Sequence, residues 1–356
     1  MDKIFLICHK SKIDGPADYY SDYLKKKGFF VNRLDHPLDN YNDRYSVFYG
    51  AQTVKVKRFQ ILGPLNLFID FFISLYFITK SDFDVFIGAN NFDTYAGIFS
   101  RQIFGKKINK IIFFASDFSE DRFKNKFLNK VYYRLESFCC KYSDLVVSNT
   151  NRAQDKRLSL GLEKDKSVIV PNGALLKSPD FHKKDLNKSH FIFVGSVTKE
   201  HGLYDLVKAI PHVIKKLVLI GGGDDWDRVI GLCKEWRIET EVYHNRDHEF
   251  CMDFLKKFNG FGLAPYNLES KWTYYCSPLK VAEYVACGLP VLMSSLPEIA
   301  VEIREKRLGI VYDCLDADMI SNDLEMLNID DFGLKAEEFY RRYNQDYLYS
   351  KIIWSQ

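Results

Sequence analysis

Tyr274–Ser294 reads YYCSPLKVAEYVACGLPVLMS. The order is a polar turn, a short helix, a Gly-Pro stop and an apolar strand. Ser277 is a good N-cap, and Pro278 is tolerated at a first helical position. Leu279, Val281, Ala282, Val285 and Ala286 make the helix apolar on most sides, which predicts burial. Gly288 ends it in a left-handed cap, Pro290 prevents its return, and Val291–Met293 reads as a buried strand. Lys280 and Glu283 lie three apart on this mostly apolar helix, and buried charges are costly unless paired or used. Two readings compete. One is an internal Lys–Glu pair on one helical face. The other is a helix N-terminus facing an anion, with Lys280 beside it and Glu283 holding a polyol.

Working outward, the same strand–helix alternation recurs. Lys3–Cys8 is a continuous apolar run, as a strand buried on both faces requires. A loop, His9–Pro16, and a helix over Ala17–Lys27 complete a first βαβ unit with Phe29–Val31. Tyr41–Phe59 reads as irregular. Leu65–Ile78, Thr94–Phe104, Phe123–Tyr142 and Ala153–Leu160 read as helices. Asp84–Ile87, Lys110–Phe114, Asp144–Ser148 and Ser167–Val170 read as strands. Ser178–Ser189 is polar, lysine-rich and aperiodic, hence a linker. A second set follows, with strands at Phe191–Val194, Leu217–Ile220, Glu241–Tyr243, Gly260–Ala264 and Gly309–Tyr312. Its helices are Gly202–Ile210, Asp225–Trp236, Glu249–Lys257 and a final Phe332–Ser350. The pattern predicts an α/β protein of two doubly wound, Rossmann-like domains facing across a cleft. The expected bounds are 1–172 and 173–334, with 335–356 crossing back to the first domain.

The chain has 356 residues, 47% of them hydrophobic, and a net charge of +3. Residues 1–172 carry 27 Lys/Arg against 19 Asp/Glu, hence +8, and the remainder 23 against 28, hence −5. A basic first half suits an anionic partner or acidic membrane surface, although scattered solvated lysines give the same count. Eight cysteines show no CxxC or metal spacing, which points to a reducing compartment. The N-terminus reads as a strand, not a signal peptide. Ile61–Thr79 is apolar but broken by Gly63, Pro64, Asn66 and Asp70. It reads as a buried helix ahead of a membrane-touching one, and not as a spanning segment.

Phe193–Gly202 (FVGSVTKEHG) is a glycine-containing turn between strand and helix, where Lys199 and His201 can meet phosphate. Ile220–Asp224 (IGGGD) lacks the GxGxxG spacing, and no P-loop is present, so neither NAD nor a Walker-type ATP site is supported. Its glycines suit close packing. Asp82-Phe83-Asp84 spells DxD but precedes a strand, on the wrong side of a sheet for a metal–nucleotide site. Ser116-Asp117, with Arg122 beyond, ends a strand where an active-site carboxylate would lie; a helix N-cap is the competing reading. His9, Gly15 and Asn91 also fall at strand exits of the first domain. His244–Asp247, including Arg246, either frames a nucleoside or is a plain polar loop.

The second domain resembles the nucleotide-sugar domain of GT-B glycosyltransferases, specifically the retaining glycosyltransferase family 4. The resemblance rests on FVGSVTKEHGLYDLVKAI, LVLIGGGDD, GLAPYN, PNGA at Pro171–Ala174, and above all SPLKVAEYVACGLPVLMS. The last is close to S-P-x-K-x-x-E-Y-x-A-x-G-x-P-V. The match covers about residues 165–312; the first half agrees in layout only. The resemblance implies transfer of a sugar from a nucleoside diphosphate sugar to a glycan or lipid-linked glycan hydroxyl, as in bacterial cell-surface polysaccharide assembly. It implies a cytoplasmic enzyme with peripheral contact to the inner membrane, no metal or cofactor, and no nucleic-acid partner. Glu283 then holds the donor ribose. The amides around Cys276, Ser277 and Leu279 cradle the diphosphate, with Gly195, Ser196, Lys199, His201 and Arg246 also on the donor side. Asp117, Lys280 and Glu283 are the candidate catalytic residues. His9, Gly15, Asn91, Asp117 and Arg122 face the acceptor. The family's first glutamate falls on Tyr275, its phosphate arginine on Ser196 and its phosphate lysine on His201; Lys280 and Lys199 are the cations left to replace them. An epimerase or inverting transferase of the same fold, or a non-catalytic nucleotide-sugar-binding subunit, are the rival readings.

Overall fold

The computed structural model describes residues 2–10, 15–38, 45–58, 65–115, 117–123, 125–176, 178–182 and 185–354. The chain divides into two units, Met1–Val170 with Tyr349–Gln356, and Pro171–Leu348.

In the first unit the strands are β1 (Lys3–Lys10), β2 (Phe30–Pro37), β3 (Tyr45–Tyr49), β4 (Thr53–Lys57), β5 (Val85–Gly88), β6 (Lys110–Ala115), β7 (Leu145–Ser148) and β8 (Ser167–Ile169). They form one sheet ordered β4-β3-β2-β1-β5-β6-β7-β8. The helices are α1 (Pro16–Lys26), α2 (Leu65–Lys80), α3 (Asn91–Ile103), α4 (Lys126–Tyr142) and α5 (Asn151–Ser159). The interior is an apolar layer of strand residues such as Phe5, Ile7, Phe86, Ile111 and Phe113 under α2, α3 and α4. Strand order reverses between β1 and β5, so their carboxyl ends frame the crevice where ligands of such sheets bind.

Three expectations change here. The stretch read as irregular contains an antiparallel hairpin, β3–β4, added to the edge of β2. Strand β1 runs on through His9 and Lys10, which pair with His36 and Pro37, so His9 is sheet and not loop. Helix α2 is one-sided instead of buried: Ser74, Phe77 and Ile78 point inward, while Phe68, Phe72 and Tyr76 stand in solvent. Residues 61–64 of that apolar run, Asp14 and Ser116 lie outside the described residues.

Among the described residues, Arg157 is one of the largest fully buried side chains. Its guanidinium donates to Glu136 Oε1 (2.8 Å), Ser148 Oγ (2.9 Å) and the Asp117 carbonyl oxygen (2.9 Å). It also lies against the Phe113 and Phe118 rings. The pair thus ties α4 and α5 to the turn after β6. Arg157→Met is expected to destabilise the first unit by about 3 kcal/mol, because Glu136 stays buried without its cation. The double variant Arg157→Met/Glu136→Leu should recover most of that loss in a denaturant titration.

The second unit contains β9 (His190–Ser196), β10 (Lys216–Gly222), β11 (Glu239–His244), β12 (Phe261–Ala264), β13 (Val291–Ser294) and β14 (Gly309–Tyr312). All are parallel, ordered β11-β10-β9-β12-β13-β14, so the switch point lies between β9 and β12. Its helices are α6 (Leu203–Ala209), α7 (Trp226–Glu235), α8 (His248–Lys257), α9 (Leu279–Ala286), α10 (Ala300–Glu305), α11 (Ala317–Met326) and α12 (Phe332–Tyr343), while α13 (Gln345–Trp354) starts in this unit and ends in the first. Glycines 221 and 223 do serve close packing: a Cβ on either would meet a carbonyl oxygen of β9 or the turn after it, at 2.0 and 2.4 Å. Asp82 and Asp84, back in the first unit, both bind Lys3 at strand entry.

The final helix expected over Phe332–Ser350 is broken at Asn344, whose backbone is extended. Residues 173–174 cause the break. Ala174 N–H takes the Tyr343 carbonyl (2.7 Å), and Gln345 Oε1 accepts from Gly173 N–H (2.7 Å). Helix α12 packs on α9 in the second unit through Phe332, Ala336 and Phe339. From Tyr349 onward the chain belongs to the first unit, where Tyr349 contacts Tyr20, Tyr23 and Phe114 and its hydroxyl donates to the Pro16 carbonyl. Residues 335–348 therefore stay with the second unit, and only the end crosses back.

Candidate active site

Helix α9 stands over the switch point of the second sheet. Strands β9 and β12 pair only at Phe191–Phe261 and Ile192–Gly262, then part. Tyr284 fills the gap. Its hydroxyl accepts from Val194 N–H (2.9 Å) and donates to the Leu263 carbonyl (3.3 Å). Its ring lies where a Cβ on Gly262 would be, at 2.3 Å. This fixes α9 against both strands and gives a structural reason for tyrosine after Glu283. Val281, Ala282, Val285 and Ala286 are buried, as the sequence predicts.

The helix begins one residue later than expected. Pro278 is the N-cap and Leu279 the first helical residue. Ser277 is not the cap: its hydroxyl accepts from Asn172 N–H (2.9 Å), and its carbonyl accepts from Asn172 Nδ2 (2.8 Å). Pro171–Asn172 therefore holds the turn before α9. Proline at the cap has no N–H to offer, and the first amides inside the helix are those of Leu279 and Lys280. Cys276 is partly buried beside this turn.

Lys280 and Glu283 do not form the internal pair. Lys280 Nζ is buried and makes no hydrogen bond. It lies over the Phe193 ring, 3.9 Å from its centroid, with Tyr266 at 5.7 Å. Burial pushes its pKa down to about 7 against smaller raising effects of Cys276 and Glu283. Gly195 adjoins it at φ +126, and a Cβ there would come within 3.1 Å of Nζ. The missing side chain keeps the space before Nζ open. Ser196 follows, exposed at the end of β9.

Glu283 is buried, and its Oε1 meets His248 Nε2 at 2.6 Å. Burial works against a charged His248, but Glu283 outweighs it and raises the imidazole pKa. Sequence reading missed His248; the only local cue is Asp247, which caps α8 by accepting from Phe250 N–H.

His201, expected to meet phosphate, carries no positive charge to offer it. Burial first, and Lys280 second, lower its pKa to about 3, so it is neutral. Its Nδ1 contacts Thr198 Oγ1 (2.9 Å) and its ring faces Tyr266 and Trp272. Lys199 is exposed and lines a separate hollow with Gly202, Tyr204, Asp225 and Arg228. Arg246 is exposed and its guanidinium lies over Phe250 at 5.1 Å.

In the first unit, Asn91, Asp117 and Arg122 line one small hollow with Ala115 and Tyr132. Asp117 is exposed and is no helix cap, since Asn125 caps α4. Asn91 Nδ2 is buried without a hydrogen-bond partner. Arg122 stacks on Tyr132 at 5.6 Å. His9 sits between Asp93 (3.0 Å) and Asp70 (3.3 Å), with both ring nitrogens engaged. Burial opposes its charge, yet the two carboxylates raise its pKa to about 10. It is a structural cation and not a base. Gly15 caps α1, its N–H donating to Asp18 (2.7 Å).

Residues 177–345 match the family model of glycosyl transferases group 1. No curated protein matches the chain by sequence. Among solved structures, sucrose-phosphate synthase from Thermosynechococcus elongatus is similar, with TM-score 0.74, 16% identity, and 99% of this chain and 97% of that chain covered. The lipopolysaccharide outer core galactosyltransferase WaaB, in its apo form, gives TM-score 0.65 at 16% identity, covering 99% of each chain. HepE from Anabaena, in complex with UDP-glucose, gives 0.65 at 12%, covering 100% of each. The two parallel-sheet units thus make up the GT-B fold. With the group 1 domain in its second unit, the chain is a glycosyltransferase enzyme.

Proposed function

We propose that this enzyme moves a sugar from a nucleoside diphosphate sugar to a hydroxyl of a glycan or lipid-linked glycan, with retention of configuration. The observation that carries the proposal is Lys280: a buried, unpartnered ammonium at the start of a helix, facing the open space left by Gly195. A buried cation without a partner is costly unless an anion arrives. The donor diphosphate is that anion, held by the Leu279 and Lys280 amides and the Lys280 charge. Helix terminus and ammonium together stabilise the leaving phosphate, so no metal is required. Glu283, oriented by His248, holds the ribose hydroxyls. UDP-sugars are the first donors to test, since HepE is solved with UDP-glucose.

The S-P-x-K-x-x-E-Y pattern supports placement in the retaining family 4 subgroup. The acceptor lies on the first unit, by the hollow of Asn91, Asp117 and Arg122. All eight cysteines are free, which supports a cytoplasmic enzyme working at the inner membrane on cell-surface polysaccharide.

The test is a thermal-shift screen against UDP-, GDP-, ADP- and dTDP-sugars in the presence of chelator, followed by NMR of the released or transferred sugar. One donor class is expected to raise the melting temperature and yield a product of unchanged anomeric configuration. Stabilisation by none of them would overturn the assignment.

A further inference from the structure

Helices α2, α3 and α4 pack side by side on one face of the first sheet. Phe68, Phe72 and Tyr76, four residues apart, form an outward row on α2 and are 58%, 66% and 59% exposed. Phe71 links this row inward to Tyr95 and Phe99 of α3, and Phe99 leads to the exposed Phe104. Ile103 beside it is also exposed. A continuous aromatic surface of this kind is uncommon on a protein facing only water.

The charges on the same layer are one-sided. Each of the three helices has a single carboxylate: Asp70, Asp93 and Glu136. All three are buried. Asp70 is paired with Arg58, Asp93 with His9 and Glu136 with Arg157. The outer charges of the layer are therefore basic. Lys80 ends α2, and Lys126, Lys130, Arg134 and Lys141 stand exposed along α4.

We infer that this face docks on an anionic phospholipid bilayer, with the aromatic row of α2 at the headgroup–acyl boundary and the α4 cations against lipid phosphates. Aromatic side chains flanked by lysine and arginine define an interfacial surface. At about 24 Å, α2 is long enough to lie in the membrane plane, and no helix among the described residues is long and apolar enough to cross one. A second copy of the chain fits less well, because a two-fold contact would set the α4 cations against each other. The inference gives a location to the membrane contact proposed above and does not depend on the donor chemistry.

The test is co-sedimentation with vesicles of phosphatidylcholine alone or of equimolar phosphatidylcholine and phosphatidylglycerol. The protein is expected to bind the anionic vesicles, and salt should weaken binding. Phe72→Ser/Tyr76→Ser should lower the partition coefficient at least about tenfold. Lys126→Glu/Lys130→Glu should lower it by about as much. Both variants alter exposed residues, so their melting temperatures and donor-induced shifts should equal the wild type's. No wild-type binding to anionic vesicles, equal binding by both variants, or a dimer in light scattering that these substitutions split would each overturn the inference. Vesicle binding without any donor shift would instead sink the transferase reading and leave the docking face standing.

Discussion

Lys280→Met is expected to lower sugar transfer about 10²–10³-fold, the loss typical of removing one preorganised charge from a leaving-group site. It should at the same time stabilise the ligand-free protein. The wild-type ammonium is buried with no hydrogen bond, and a methionine side chain removes that desolvation cost while keeping the packing on Phe193. The gain should be a few kcal/mol in a denaturant titration near neutral pH. The pH dependence has a definite sign. Lys280 is depressed from 10.5 to about 7, so between those values the unfolded chain holds a proton that the folded chain has released. Wild-type stability therefore rises with pH across that window, and the Lys280→Met variant should lack the slope. Donor binding runs the other way. A bound diphosphate favours the ammonium, so binding takes up a proton, and donor Kd should rise by up to about tenfold per pH unit above neutrality. Calorimetry in two buffers of different ionisation enthalpy reads that uptake directly. A pH-independent Kd with buffer-independent heats would remove Lys280 from the site. His201, already neutral, gives no such titration.

This contrast marks how far the sequence could be read. Buried parallel strands announce themselves as unbroken apolar runs, so both doubly wound units were legible, as was the Lys280–Glu283 anomaly on an apolar helix. Charge state was not. It depends on what surrounds a side chain: His201 and Lys280 compete for one buried space, and the ammonium keeps the charge. The β3–β4 hairpin was missed although its outer strand, TVKVK, alternates valine and lysine as an edge strand does; it is only five residues long and almost wholly exposed, so it carries no apolar run of the kind that marks the buried strands. The break at Asn344 has no Gly or Pro to mark it; a turn 170 residues upstream in the sequence imposes it. The outward row on α2 was misread because every residue in it is apolar, and apolar character alone does not say which side meets water. His248 was missed for the same reason as its partner was found: Glu283 is odd where it stands, whereas a histidine in the first turn of an amphipathic helix is not.

Glu283→Ala is expected to cost both binding and stability, and His248 separates the two. Glu283 is buried and meets His248 at 2.6 Å, so the alanine variant leaves a half-buried histidine without its carboxylate. Loss of one partner from such a pair costs about 1–3 kcal/mol beyond the missing contact. The isosteric Glu283→Gln keeps the shape and one hydrogen bond but loses the charge-assisted bonds that we propose Glu283 makes to the donor ribose. Its donor affinity should fall about 10–100-fold, the worth of one or two hydrogen bonds to a charged acceptor, while its melting temperature changes far less than that of Glu283→Ala. The paired histidine adds a pH signature. Its folded pKa lies above the ordinary 6.5, so the stability it contributes is complete below that value and is lost as pH rises through the raised one. His248→Gln should abolish this alkaline loss and weaken donor binding several-fold through a less fixed Glu283. If Glu283→Gln binds donor like the wild type, the carboxylate serves only His248 and α8. Donor binding would then rest on Lys280, Gly195 and the helix terminus alone.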